Sequence, residues 1–293
     1  PKFLHYRPQT ASINNIEFDH ADIFRDLHHV VETFARFAEI VPAEGRLIVP
    51  AHDTIAREVA DRSAAQRWLT GFSDEADVRA TDLEPHPEGT RFQLHLPGSK
   101  PAPVDMGLWG EHNILNALMA AALTADVGVS ASQVAGALSS FTLPVKRQQL
   151  KGVARDVPVI DDFAHHPTAI RETLRATRHR YPGRRVLALF EVESNTSRRR
   201  VFQDAFVAAL SEADQVYFCS PHEKDDGLAP EARLSLPELI DGLRSRGVAA
   251  EWIADTTTHH PWRWIGGTLL SGATVSPLTG THAGGHTNAH KPI

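Results

Sequence analysis

At 293 residues the chain is long enough for two domains of ordinary size, each with its own core. Apolar residues at 42% and charged residues at 23% exclude a disordered chain, and a net charge of -6 with no dense basic run excludes a nucleic-acid backbone as the main partner. The single cysteine, Cys219, excludes an internal disulfide framework and a cysteine-based zinc ribbon. No stretch reads as a secretory leader or as a span of about twenty apolar residues, so no membrane partner is expected and the expected location is the cytoplasm.

The chain opens on "PKFLHYRP", without an initiating methionine, and reads as starting inside a domain. "TASINNI" from Thr10 to Ile16 predicts a strand and "EFDHADIF" a polar turn after it. Val30, Val31, Phe34, Phe37, Ala38 and Val41 recur at spacings of three and four, which predicts a helix. "GRLIVP" predicts a short buried strand. Thr81 to Pro97, "TDLEPHPEGTRFQLHLP", predicts a hairpin turning near Glu88-Gly89, and "GSKPAP" a loop.

"GEHNILNALMAAALTADVGV" predicts the clearest helix, with Ile114, Leu115, Leu118, Met119, Ala122 and Leu123 on one face and Gly128 at its end. A second helix is expected from Ser130, a serine cap followed by apolar Val134, Ala137, Leu138 and Phe141. "TLPVKRQQLKG" then reads as a linker, which sets the expected units at 1–144, 145–258 and an atypical tail at 259–293.

Beyond the linker the short apolar runs "VPVI", "RVLALF", "QVYFC" and "VAAEWIA" alternate with helical patterns of about a dozen residues. Alternating strands and helices imply an α/β fold with an open, mostly parallel sheet. Such sheets bind ligands beyond the C-terminal ends of their strands, where "DDFAHH" and "EVESNT" fall. Cys219 lies in "VYFCS" and is expected to pack inside. The arginines of "SRRRVF" read as a solvated edge, with a small anionic ligand as the other possibility. The tail shows no sustained periodicity, and His282, His286 and His290, four apart without a helix, do not converge on a metal.

Three stretches carry candidate chemistry. In "NNIEFDHADIF", Glu17, Asp19, His20 and Asp22 follow a strand, a donor set that suits a hard divalent cation, or equally a polar loop that caps the next helix. In "GEHNILNA", His112, Asn113 and Asn116 gather at the first turn of a helix; an amide offers donor and acceptor to the edge of adenine, and plain helix capping is the alternative. In "VIDDFAHHPTAIRETL", Asp161 or Asp162 at a strand end could bond ribose hydroxyls, Pro167 opens a helix, and His165 or His166 caps it.

These stretches together with "VKRQQLKG", in this order and at these intervals, resemble the Mur ligase family, and within it the members of peptidoglycan recycling. The resemblance runs from Pro1 to about Asp255. It implies the later part of a central ATPase domain followed by a Rossmann-like C-terminal domain, in an ATP-dependent amide ligase. That enzyme would use ATP and Mg2+ to join L-alanyl-γ-D-glutamyl-meso-diaminopimelate to UDP-N-acetylmuramate through an acyl phosphate. By the same resemblance His20 holds magnesium, with Glu17 and Asp19 close by. His112, Asn113 and Asn116 contact adenine, and Asp162 bonds ribose. Arg147 reaches the nucleotide from the linker, and His165 and His166 are motif positions of the catalytic region.

The departures are specific. No Gly-x-x-x-x-Gly-Lys-[ST] sequence occurs, so the phosphate-binding loop and the UDP-sugar domain are expected upstream of Pro1. Gln148 stands where the family carries a second arginine, removing a charge that could face phosphate. Val192 and Glu193 stand where proline and arginine are expected. These differences leave room for a non-catalytic nucleotide-binding or interaction protein derived from such a ligase. A metal-dependent hydrolase using the histidine pairs is a third reading.

Overall fold

The computed structural model describes residues 1–192, 194–219 and 227–253, and the backbone of a strand at 268–271. The first half is built on a six-stranded sheet of β1 (Thr10–Ser12), β2 (Arg46–Pro50), β3 (Gln66–Gly71), β4 (Val78–His86), β5 (Gly89–His95) and β6 (Ala102–Met106), in that order. The first four strands are parallel, and the last two turn back antiparallel as a hairpin and its neighbour. Helices α1 (Leu27–Glu39) and α2 (Thr54–Ala60) cover one face. Helices α3 (Glu111–Ala125) and α4 (Ala131–Ser140) cover the other.

Local chemistry accounts for these boundaries. The Asp26 carboxylate caps α1 by accepting the His29 N–H, and Ser130 and Gln133 cap α4 reciprocally. The Glu88-Gly89 turn lies where the sequence expects it. The first strand is shorter than predicted, ending at Ser12; Ile13 and Ile16 stay in the first core, and the residues after Ile16 turn toward the second half, where Phe18 and Ala21 pack. The expected "GSKPAP" loop is corrected at its end, since Ala102 and Pro103 already belong to β6. Proline is tolerated there because β6 lies at the sheet edge.

The second half carries a six-stranded sheet in the order β11-β10-β9-β12-β8-β7. Its strands are β7 (Gln149–Ala154), β8 (Val157–Asp161), β9 (Val186–Glu191), β10 (Gln215–Cys219), β11 (Ala249–Ile253) and β12 (Thr268–Ser271). All pairings are parallel except that of β7 with β8. Helices α5 (Pro167–Arg180), α6 (Gln203–Leu210) and α7 (Leu236–Ser245) connect them. Phe190, Phe206 and Phe218 are among its largest fully buried side chains.

Two expectations are corrected. The end of the predicted linker, Gln149–Gly152, is strand β7. The tail is not wholly irregular, because β12 is a central strand between β8 and β9, with Leu269 in register with Val159 and Leu187. A four-residue parallel strand flanked on both sides is too short to show alternation in the sequence. The tail histidines and Glu193 lie outside the described residues.

Candidate functional site

Two patches join the halves, and the sequence-predicted residues are divided between them. The first is built by the loop after β1. Ile13 and Ile16 are buried and anchor its start, so the residues that follow project from the first sheet onto the second half.

Glu17 accepts a hydrogen bond from the Asn15 amide at 2.7 Å and another from the Thr168 hydroxyl on α5. The Phe18 ring stacks on Phe202 with centroids 5.6 Å apart, and its carbonyl lies 3.2 Å from Nε2 of His166. Asp19 accepts from the Thr196 hydroxyl and from the His20 N–H. Burial pushes the Asp19 carboxyl up, but the Thr196 and His20 bonds and the neighbouring His166 and His20 outweigh it and hold the group below its ordinary range.

The His20 side chain is 63% exposed, with its ring nitrogens 3.9 to 4.0 Å from Asp22 and Asp19. Among the described residues no three His, Cys, Asp or Glu side chains are arranged to hold a metal ion. Glu17, Asp19 and His20, expected to share magnesium, are therefore not drawn together as a three-donor set: the two carboxylates are turned to hydroxyls of the second half while the imidazole points to solvent.

The second patch gathers the adenine-side and ribose-side motifs. Gly110, at φ 93°, lets α3 start hard against α5; a Cβ there would lie 2.7 Å from the Ala176 Cβ and 2.9 Å from the His112 ring. Asn113 is buried and donates its amide to the Trp109 carbonyl at 2.8 Å, whereas Asn116 is exposed. Of the two asparagines, then, Asn113 holds the loop before the helix and Asn116 faces outward.

Gln148 is 9% exposed and stands at the centre of this patch. Its side-chain amide lies 3.1 Å from Nε2 of His112, and its N–H donates to Asp162 at 2.8 Å.

Asp162, 6% exposed, accepts from the Gln148 and Ala164 N–H groups with its two oxygens. Burial raises its carboxyl, more than these bonds and the nearby Arg147 and His112 lower it. Burial likewise lowers His112, with Glu172 and Asp162 opposing, and so favours its neutral imidazole. An amide donating to Nε2 puts the ring proton on Nδ1, and that buried nitrogen has no hydrogen-bond partner among the described residues.

His165 Nδ1 lies 2.9 Å from the Phe163 carbonyl, and His166 caps α5 by accepting the Thr168 N–H. Both histidines hold the loop between β8 and α5. The exposed Arg147 lies 5.5 Å above the half-exposed Phe163 ring. Sequence reading missed Thr168, Thr196, Trp109 and Arg180 as members of these patches. Arg180 stacks on Trp109 at 3.9 Å. The one available signal was position, because Thr196 lies inside "EVESNT" and Trp109 just before "GEHNILNA".

A pair of α/β units meeting where the second sheet's first parallel strand ends defines a class that works across an interdomain seam. Residues 2–124 match the Mur ligase middle domain and residues 146–259 match the Mur ligase, glutamate ligase domain, so the chain belongs to the Mur ligase family. Val192, at the family's proline position, is buried in the second core.

Among curated relatives it is similar to the UDP-N-acetylmuramate--L-alanyl-gamma-D-glutamyl-meso-2,6-diaminoheptandioate ligase of Escherichia coli (strain K12), 39% identical over 222 residues, 75% of this chain and 48% of the relative. The UDP-N-acetylmuramate--L-alanine ligase of Desulfitobacterium hafniense (strain Y51) is 33% identical over 255 residues, 86% of this chain and 55% of the relative. The crystal structure of a murein peptide ligase from Psychrobacter arcticus aligns with a TM-score of 0.63 and 28% identity, over 92% of this chain and 55% of that one. The chain thus spans about half the length of these relatives.

Proposed function

We propose that the chain is the later part of the central ATP-binding domain, without its phosphate-binding loop, and the C-terminal domain of an ATP-dependent ligase of peptidoglycan recycling. Its units are 1–144 and 145–258, and the reaction joins L-alanyl-γ-D-glutamyl-meso-diaminopimelate to the lactyl carboxylate of UDP-N-acetylmuramate. The observation that carries the reading is the meeting of three distant motifs through Gln148, whose bonds reach His112 of "GEHNILNA" and Asp162 of "DDFAHH" from the linker. The name and 39% identity of the E. coli relative support the tripeptide as substrate.

ATP, when bound, supplies the phosphoryl group that activates the carboxylate before the tripeptide amine attacks. In this reading the exposed Asn116 offers its amide to adenine, and the Asp162 loop, held by His165 and His166, receives the ribose. The Arg147 guanidinium faces the nucleotide from the linker. No step is assigned to magnesium, since Glu17, Asp19 and His20 do not converge.

The test is formation of the UDP-N-acetylmuramyl tripeptide with ADP and phosphate by the complete gene product. Asn116→Ala is expected to raise KM for ATP with little effect on kcat. Product formed without ATP, or none formed with it, overturns the reading.

A second reading, a non-catalytic nucleotide-binding or interaction protein, is favoured by one observation. Gln148, uncharged where the family carries a second arginine, spends its amide on His112 inside the seam. Tight ATP binding without ligation by the complete gene product selects it.

A further inference from the structure

We propose that the 17–22 loop is an interdomain latch, its carboxylates serving as acceptors for hydroxyls of the C-terminal unit rather than as a cation cage. Four polar groups of the loop meet partners across the seam. Glu17 accepts from Thr168, Asp19 from Thr196, and the Phe18 carbonyl from His166, while Asn195 donates to Asp22 at 3.4 Å. The Phe18 ring closes the contact on Phe202, and His166 meets the same ring edge-on at 5.8 Å.

Two separate segments of the second half, the start of α5 and residues 194–198, thus grip one loop of the first. Hydroxyl donation to an ionised carboxylate is the stronger kind of hydrogen bond, and water is partly excluded around Asp19. The loop is held at its root by Ile16, whose N–H donates to Asp53 at 3.0 Å, so the grip is transmitted to α2 rather than absorbed by a free loop. The grip does not depend on nucleotide or on ligation, so it stands or falls separately from the proposed function.

The test is amide hydrogen exchange over 13–24, 163–170 and 194–202 in the full chain. The Thr168→Val/Thr196→Val pair, close in shape but lacking the hydroxyls, is expected to speed exchange in all three segments roughly ten-fold by easing local opening. Thr168→Ser/Thr196→Ser, which keeps the hydroxyls, is expected to restore the wild-type rates. Glu17→Gln/Asp19→Asn, which removes the charged acceptors, is expected to repeat the valine result. Wild-type exchange in the valine pair overturns the latch. So does a Glu17→Gln/Asp19→Asn chain that loses manganese(II) binding, read by paramagnetic resonance, while its seam exchange stays unchanged.

Discussion

The side-chain amide of Gln148 meets Nε2 of His112 at 3.1 Å while its backbone N–H, 2.8 Å from Asp162, holds the loop after β8. One linker residue therefore ties the start of α3 to the end of a strand in the other sheet. Gln148→Leu keeps the bulk but strands a buried acceptor, and the expected loss is about 1–3 kcal/mol in urea unfolding. The same variant releases the His112 ring from its Nδ1–H tautomer. Imidazole 15N shifts are expected to move toward a mixture, and unchanged shifts would show that Gln148 does not set the tautomer.

His112 also gives the fold a pH dependence of known sign. Burial lowers its pKa below the value of about 6.5 expected in the unfolded chain. The unfolded state then binds more protons, so this contribution is fully present above pH 6.5 and is lost as pH falls through the folded value. Asp162 acts oppositely. Burial raises its carboxyl, so its contribution is fully present below the unfolded value and is lost as pH rises through the folded one. His112→Gln is expected to flatten the fall in melting temperature below pH 6.5, and an unaltered acid limb would sink this assignment.

The sequence made α1, α3, α4 and the strand-helix alternation of the second half readable, because helices such as α1 show the 3.6 period and "RVLALF" and "QVYFC" are short apolar runs between helices, but α2 and β3 went unpredicted and the start of β6 read as a loop. It could not show β12, whose four residues carry no period, nor which of two neighbouring asparagines turns inward. Asn113 and Asn116 look alike as helix-start amides, yet burial separates them. Seam partners were least legible. Thr168 and Glu17 lie 151 residues apart, and only folding makes a threonine hydroxyl the partner of a carboxylate that composition suggests for a cation.

Gly110 permits the close approach of α3 to α5. Gly110→Ala forces an L residue to φ 93°, at about 1–2 kcal/mol, and overpacks the Ala176 methyl, adding about 1–3 kcal/mol. Ala176→Gly alone is expected to cost about 1 kcal/mol as a helix glycine. In the Gly110→Ala background it should cost less or stabilise, because it removes the clash with the Ala176 methyl and leaves only that with the His112 ring. Additive losses in urea melts would show that α5 moves aside instead.

Arg180 is the cation that closes the other side of the same patch. Its guanidinium lies 3.9 Å from the Trp109 ring centre and donates weakly to the Gln148 carbonyl at 3.5 Å, while burial lowers its pKa without discharging it. Trp109 is itself fixed by its indole N–H, which reaches the His86 carbonyl at 3.3 Å, so the ring is a rigid platform set by the β4–β5 hairpin. Stacking over an aromatic face in a partly desolvated seam is worth about 0.5–2 kcal/mol. A double-mutant cycle of Arg180→Met with Trp109→Leu is expected to return a coupling in that range. Arg180→Lys should lose most of it, since a compact ammonium cannot lie flat on the indole. Half-burial limits counter-ion access, so the coupling should survive at 0.5 M salt. A coupling that salt abolishes would identify a solvent-exposed charge contact and remove the stacking from the forces that hold the two units together.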